Sequence, residues 1–396
     1  MMKKFTILSL CLALAGSLSA QLNGNGYYRI RNAATGRYIS LVNNKVDSQN
    51  KDMWQVANSG SHVYALKTTK PFSKVVSDPG SILYIEQSSD GYILRGQGMD
   101  TQALTGRYLK IYNSRNVADA YWLYATESGT AVYLKDTQDA LDNTGNTGYV
   151  LVSTSRAEAE VDWNLVPVDD DDQFLGIMPE VSVGGKHYAT IYAGFPFSLS
   201  AGMKAYYVKQ VETAAAELAE VTESVIPAAT PVIIECSSEN PADNKLTLLT
   251  GQQAALQGNL LKGLYFSYVM MSVRGGEATT DLANQLRNVV PYDAETMRVL
   301  GEVDGALGFV KASDLKYLPA NKAYLTVPAT AADQLKLLNA EDFAAGINAV
   351  EVVGQSGAQK NVGVFTLTGV RLRSDASTEG LSNGLYIVNG KKVMVK

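Results

Sequence analysis

The chain has 396 residues, too many for one ordinary core, so two or three domains are expected. Nearly half of it (46%) is apolar with a mean hydropathy near zero, which suits a soluble globular protein. The balance is acidic, 34 Lys and Arg against 39 Asp and Glu, and no basic run stands out, which argues against nucleic acid and anionic membrane surfaces as partners.

The first residues read as an export leader, expected over 1–20. Lys3 and Lys4 are followed by an apolar stretch from Phe5 to Gly16, then by the small residues Ser17, Ser19 and Ala20. Cleavage after Ala20 removes two lysines and no acid, and no later stretch is long and apolar enough to predict a membrane span. Cys236 is then the one cysteine left, so no internal disulfide is expected. Its strand-like setting, Pro231-Val232-Ile233-Ile234-Glu235-Cys236, predicts a buried, inert thiol.

The first domain is expected over 21–168, where a phrase recurs three times. Gly26-Tyr27-Tyr28-Arg29-Ile30 leads to Trp54, Gly91-Tyr92-Ile93-Leu94-Arg95 to Trp122, and Gly148-Tyr149-Val150-Leu151-Val152 to Trp163. Turn chemistry such as Asp78-Pro79-Gly80 separates the short alternating runs, which predicts strands. A single unit cannot bury its own apolar face, whereas three around an axis can, so a closed pseudo-threefold β domain is expected. Tyr28-Arg29-Ile30-Arg31-Asn32 with Thr35-Gly36-Arg37-Tyr38-Ile39, followed by a Trp, resembles the repeat of ricin-type β-trefoil lectins. That resemblance implies a β-trefoil and carbohydrate binding. The family places a Gln two residues before each repeat Trp, where this chain has Asp52, Ala120 and Val161, and the three tryptophans are read as core. Candidate ligand residues are Arg37, Tyr38 and Asn43 in one unit and Arg107, Tyr108 and Asn113 in the next. The alternative for both Arg-Tyr pairs is a structural role, with Arg packed over a neighbouring strand.

Asp169 to Asp172 reads as a solvated acidic linker (169–173), since it lacks the Gly turn and distal Glu of a calcium loop. A β-rich accessory domain with short helices is expected over 174–345, similar to one found in secreted Gram-negative proteins. Helices are predicted at Leu282–Val289 and Ala331–Asn339. Glu212–Glu223 reads as either a helix or a hairpin arm. Within the domain Ile226-Pro227-Ala228-Ala229 is echoed by Leu318-Pro319-Ala320-Asn321, each a Pro-Ala turn feeding a buried strand. In the tail (346–396), two β runs meet at Asn389-Gly390, a strong hairpin signal. Leu367-Thr368-Gly369-Val370-Arg371, Gly384-Leu385-Tyr386-Ile387-Val388 and the terminal Lys391 to Lys396 closely resemble the C-terminal sorting domain of type IX secretion. The resemblance implies a small β-sandwich-like domain, export by that machinery, and a secreted or outer-membrane surface location.

No catalytic constellation assembles from the sequence. His62 and His187 fall in different predicted domains without a second ligand at metal spacing, and neither a nucleophile elbow nor a phosphate loop is recognised. The expectation is a mainly β, non-catalytic binding protein without metal or cofactor, whose partner is a glycan or host polymer. The alternatives are a structural or adhesion protein without a sugar site, and a carbohydrate-active enzyme whose carboxylates lie far apart in the chain.

Overall fold

A computed structural model describes residues 25–41, 62–69, 72–88, 91–96, 110–127, 130–136, 147–169, 171–251, 253–264, 270–271, 291–315, 318–345, 363–366, 371–375, 377–388 and 391–395. The leader, Trp54 and the helix predicted at Leu282–Val289 lie outside these residues. Mainly β structure is what the described residues form.

Ten strands come first: β1 (Gly26–Asn32), β2 (Tyr38–Leu41), β3 (His62–Thr69), β4 (Leu83–Ser88), β5 (Gly91–Gly96), β6 (Lys110–Asn113), β7 (Tyr121–Glu127), β8 (Thr130–Asp136), β9 (Thr147–Ser153) and β10 (Asp162–Pro167). Their antiparallel pairings close a ring, β1 to β4, β5, β6, β7, β10 and back to β1. A second path from β1 to β7 runs through β2, β3, β9 and β8. Both junction strands change partner along one edge. In β1, Gly26–Tyr28 lie opposite Leu83–Ile85 and Arg31 opposite Tyr38. In β7, Tyr121 and Trp122 lie opposite β10, and Tyr124–Glu127 opposite β8. Closure of this kind leaves few unpaired edges.

Side chains alternate across each strand, which decides what enters the ring. Tyr28, Ile30, Leu83, Ile85, Tyr121, Leu123, Trp163 and Leu165 share one core with Ile39, Ile111, Leu134 and Val150. Trp163 is fully buried there, and its Nε1–H donates to the Leu134 carbonyl at 3.0 Å. Trp122 is also buried, but it packs in a separate small cluster with Tyr133 and Val161.

The central region comprises β11 (Leu175–Gly176), β12 (Val181–Val183), β13 (Lys186–Ile191), β14 (Phe197–Leu199), β15 (Lys204–Val211), β16 (Ala215–Glu220), β17 (Val232–Cys236), β18 (Lys245–Leu248), β19 (Leu261–Leu264), β20 (Met270–Met271), β21 (Met297–Val303), β22 (Ala306–Val310), β23 (Lys322–Thr326) and β24 (Gln334–Leu338). A short helix, α1 (Ala340–Ala345), follows. Ten strands form one sheet in the order β12-β13-β17-β15-β16-β24-β22-β21-β23-β19; β11, β18 and β14 form another, and β20 pairs with β3. Cys236 is buried and burial pushes its thiol up to about 12, so it stays protonated and unreactive at neutral pH.

The structure corrects the helix expected at Ala331–Asn339. Gln334–Leu338 is strand β24, parallel to β16 and antiparallel to β22, with Leu335 and Leu337 buried at period two. A helix starting at Ala331 would send the Lys336 amide to Ala332 O. That amide donates to Ala214 O at 3.1 Å instead, and buried Arg298 donates to Ala332 O at 3.1 Å and to Ala331 O at 3.4 Å. Glu212–Glu223 resolves as a hairpin arm, with Ala215–Glu220 forming β16 against β15.

The Pro-Ala echo has a matching backbone. Ala229 and Asn321, each two residues after the proline, have φ of 54° and 60°. Asn321 suits this left-handed region, and its Nδ2 also donates to Tyr192 O at 3.0 Å. Ala229 has no such compensation from its side chain. Ala229→Gly is expected to stabilise the protein by about 0.5–1 kcal/mol, and Asn321→Ala to destabilise it by about 1–2 kcal/mol, read from urea midpoints.

The first ring and the central region are joined by packing. Ile82 belongs to the same core as Leu175, Phe195 and Phe197, with Tyr27 and Val168 against it. The Tyr27 ring meets Phe195 edge-on at 5.5 Å, and its hydroxyl donates to Leu249 O at 3.0 Å. Burial, with the neighbouring Tyr84, raises the Tyr27 phenol from 10 to about 12. Because the folded value is the higher one, this contribution to stability is complete below pH 10 and is lost as pH rises through about 12. Tyr27→Phe is therefore expected to flatten the decline in thermal midpoint between pH 10 and 12 relative to the parent chain.

Near the C-terminus β25 (Val364–Phe365), β26 (Arg371–Arg373), β27 (Gly384–Val388) and β28 (Lys391–Val395) form an antiparallel sheet in the order β26-β25-β27-β28. β27 and β28 pair out to Val388 and Lys391, as Asn389-Gly390 predicts; those two residues lie outside the described ones.

Candidate functional site

The turn after β1 carries the first group of predicted ligand residues. Asn32 Oδ1 accepts from the amides of Ala34 and Thr35 at 3.1 and 3.0 Å, and Gly36 takes φ 71° to bring the chain back. This geometry delivers Arg37 inward. Its Nε donates to Asp136 Oδ2 at 2.8 Å, and the Thr35 hydroxyl donates to the same oxygen. The two side chains are 2% and 0% exposed, which makes this a buried ion pair. Tyr38 is 6% exposed, its ring 6.0 Å from that of Phe72 and 5.9 Å from the Arg31 guanidinium. Neither Arg37 nor Tyr38 presents an open face to a dissolved sugar. Asn43, Arg107 and Tyr108 lie outside the described residues.

Asn113 is exposed at the end of β6. The turn it opens is organised by Ser114, whose Oγ accepts from the Asn116 amide at 3.0 Å and donates to Asp162 Oδ1. Asp162 also receives the first turn, since the Ala33 amide donates to its carbonyl at 2.8 Å. The start of β10 is thus where the turns carrying Arg37 and Asn113 meet. A third segment, Ser153–Val161, covers the same place. Asn32 Nδ2 donates to Glu160 O at 2.8 Å, Ser153 Oγ donates to Glu158 at 2.6 Å, and Lys135 pairs with Glu158. That pairing holds the Glu158 carboxyl below its usual value and the Lys135 ammonium above its own.

Arg29 was visible in the sequence only as part of a repeated phrase. In the structure it is fully buried between the ring and the central region. Its guanidinium donates to Ser81 Oγ at 3.1 Å, Val75 O at 3.3 Å, Phe174 O at 3.1 Å and Gln173 O, and lies 5.0 Å over the Phe72 ring. Desolvation lowers its pKa to about 10, partly offset by Asp78, Tyr38 and Asp169. Just ahead of its acceptors Gln173 and Phe174, Asp169 Oδ1 accepts from the amides of Asp171 and Gln173, both at 2.9 Å, which forms a turn.

Catalytic alternatives gain little from the geometry. Gly380-Leu381-Ser382-Asn383-Gly384 does carry the letters of a nucleophile elbow. It precedes strand β27 instead of a helix, and Ser382 Oγ lies 3.0 Å from the Tyr386 hydroxyl. His187 Nδ1 bonds Ser182 Oγ at 2.8 Å on an exposed hairpin. Among the described residues no three His, Cys, Asp or Glu side chains gather as a metal site.

No family model matches the chain, and no curated protein does. A solved structure described as a mosquitocidal holotoxin aligns at 10% identity and a TM-score of 0.21, over 90% of this chain and 38% of that one. The chain therefore spans less than half the length of that protein, and a likeness so slight bears on neither fold nor function.

Proposed function

We propose that the protein is a secreted or cell-surface, non-catalytic binding protein whose first domain, a trefoil of the ricin type, holds a carbohydrate. The tail is a sorting domain read by the type IX secretion machinery. The observation that carries the reading is the threefold Gly-Tyr to Trp repeat on a chain whose first ten strands pair antiparallel, six of them in a closed ring. The turns carrying Arg37 and Asn113 meet at Asp162, and polar groups gathered in this way are what sugar recognition requires. The test is a glycan array with residues 21–396. Saturable binding to a defined sugar supports the proposal, and an empty array removes it. For the tail, deleting residues 363–396 is expected to leave the protein inside the outer membrane of an exporting host, whereas unchanged surface display would refute the sorting role.

The burial of Arg37 and Tyr38 favours a second reading, an adhesion or structural protein that has no sugar site. Saturable binding to one sugar would end it.

A further inference from the structure

Trp122 and Asp162 stand directly opposite each other across β7 and β10. They are 3% and 1% exposed, yet among the described residues the Trp122 Nε1–H has no acceptor and Asp162 Oδ2 has no donor. A buried polar atom left unpaired costs about 1–3 kcal/mol. Directly paired residues are close neighbours, so one group able to donate and accept could satisfy both atoms. A hydroxyl is such a group.

The surroundings suit a hydroxylated ring. Trp122 and Tyr133 meet edge-on at 5.9 Å, and Tyr124 lies 5.9 Å from Tyr133. Their roof is Arg156, an exposed residue whose guanidinium lies 5.2 Å over the Trp122 ring and 5.8 Å over that of Tyr133. Among the described residues that guanidinium has no carboxylate partner. The tether is on its backbone, where Asn116 Nδ2 donates to Arg156 O. An exposed cation–π contact is worth only about 0.5–1 kcal/mol, so the side chain is a cover that a ligand can displace.

We propose that Trp122, Tyr133, Asp162 and Arg156 form a saccharide subsite. One sugar hydroxyl donates to Asp162 Oδ2 and accepts from Trp122 Nε1. The apolar face of the sugar ring takes the place of the Arg156 guanidinium over the indole, and Arg156 swings out to donate to ring substituents. The subsite rests on the carbohydrate reading and moves its location from the Arg-Tyr turns to the outer aromatic cluster.

The test titrates the mature chain with methyl β-D-galactoside, methyl α-D-mannoside and N-acetylglucosamine, following affinity by calorimetry and the indole N–H signals by NMR. The Trp122 signal is identified by its loss in Trp122→Phe, which keeps a ring and removes the N–H. The expected result is that a sugar shifts this signal, and that Trp122→Phe and Asp162→Asn each weaken its binding roughly tenfold or more. Arg156→Ala is expected to raise acrylamide quenching of tryptophan fluorescence. Its distance from the core keeps the test alive should Trp122→Phe misfold. Sugar binding that leaves the Trp122 signal and both affinities unmoved overturns the subsite and leaves the carbohydrate reading standing. Absence of binding by all three sugars and by a glycan array overturns both, as does a bridging water between the two atoms with no response to sugar.

Discussion

Arg29→Ala is expected to lower stability by about 3 kcal/mol or more, among the largest effects available in the chain. The fully buried guanidinium serves Ser81 Oγ and the carbonyls of Val75, Gln173 and Phe174. Truncation to a methyl removes the guanidinium donor from the Gln173 and Phe174 carbonyls, while Val75 O keeps the Asp78 amide at 3.1 Å, and opens a void against Phe72. The acceptors come from both sides of the Asp169–Gln173 turn, so the loss is expected to loosen the ring from the central region as well as to lower the midpoint. Thermal unfolding should shift by roughly 10 °C, with faster proteolysis at residues 169–173. Arg29→Lys is expected to recover less than half of the loss, because an ammonium is a point donor and cannot span acceptors arranged around a planar fork. A midpoint for Arg29→Ala within about 1 °C of the parent would show that the clamp contributes nothing.

What the sequence displayed, and what it hid, divides by the distance of the interaction that decides it. The tail hairpin was legible because Asn389-Gly390 is a local signal between two alternating runs, and β27 and β28 pair on either side of it. The Pro-Ala echo was legible for the same reason, and the structure adds matching positive φ values at Ala229 and Asn321. Ala331–Asn339 misled because its composition favours a helix, while its fate is settled by pairing with β16, more than a hundred residues earlier in the chain. Arg29 was invisible as a clamp because three of its four acceptors are backbone carbonyls, two of them nearly 145 residues away, and backbone acceptors leave no mark in a sequence.

The candidate site divides likewise. Arg37 and Tyr38 had the residue types a sugar site needs, but Arg37 is drawn inward by Asp136, 99 residues away in the chain, and Tyr38 packs near Phe72. Trp122 and Trp163 looked equivalent by repeat. The period of two along β10 sends Trp163 into the ring, whereas Trp122 joins Tyr133 under an exposed arginine. Asp162 drew no notice in the sequence beside Trp163, yet its carbonyl and carboxylate tie together the turns of two units.

Asp136→Ala is expected to be as damaging as the loss of Arg29, by about 3–5 kcal/mol, because it leaves the Arg37 charge buried without its carboxylate. The pair itself is worth less than that figure. Two desolvated charges regain in attraction roughly what their burial costs, so Arg37→Met with Asp136→Leu is expected to recover most of the loss. Urea unfolding of the two single variants and the double variant closes the cycle, and a coupling near zero would mean that the contact is incidental. The same double variant separates structure from recognition. It folds without the guanidinium, so a sugar that binds the parent should bind it with unchanged affinity if Arg37 serves only the turn. If binding disappears while the fold is kept, Arg37 touches the sugar after all, and the recognition surface lies at the first turn instead of at Trp122.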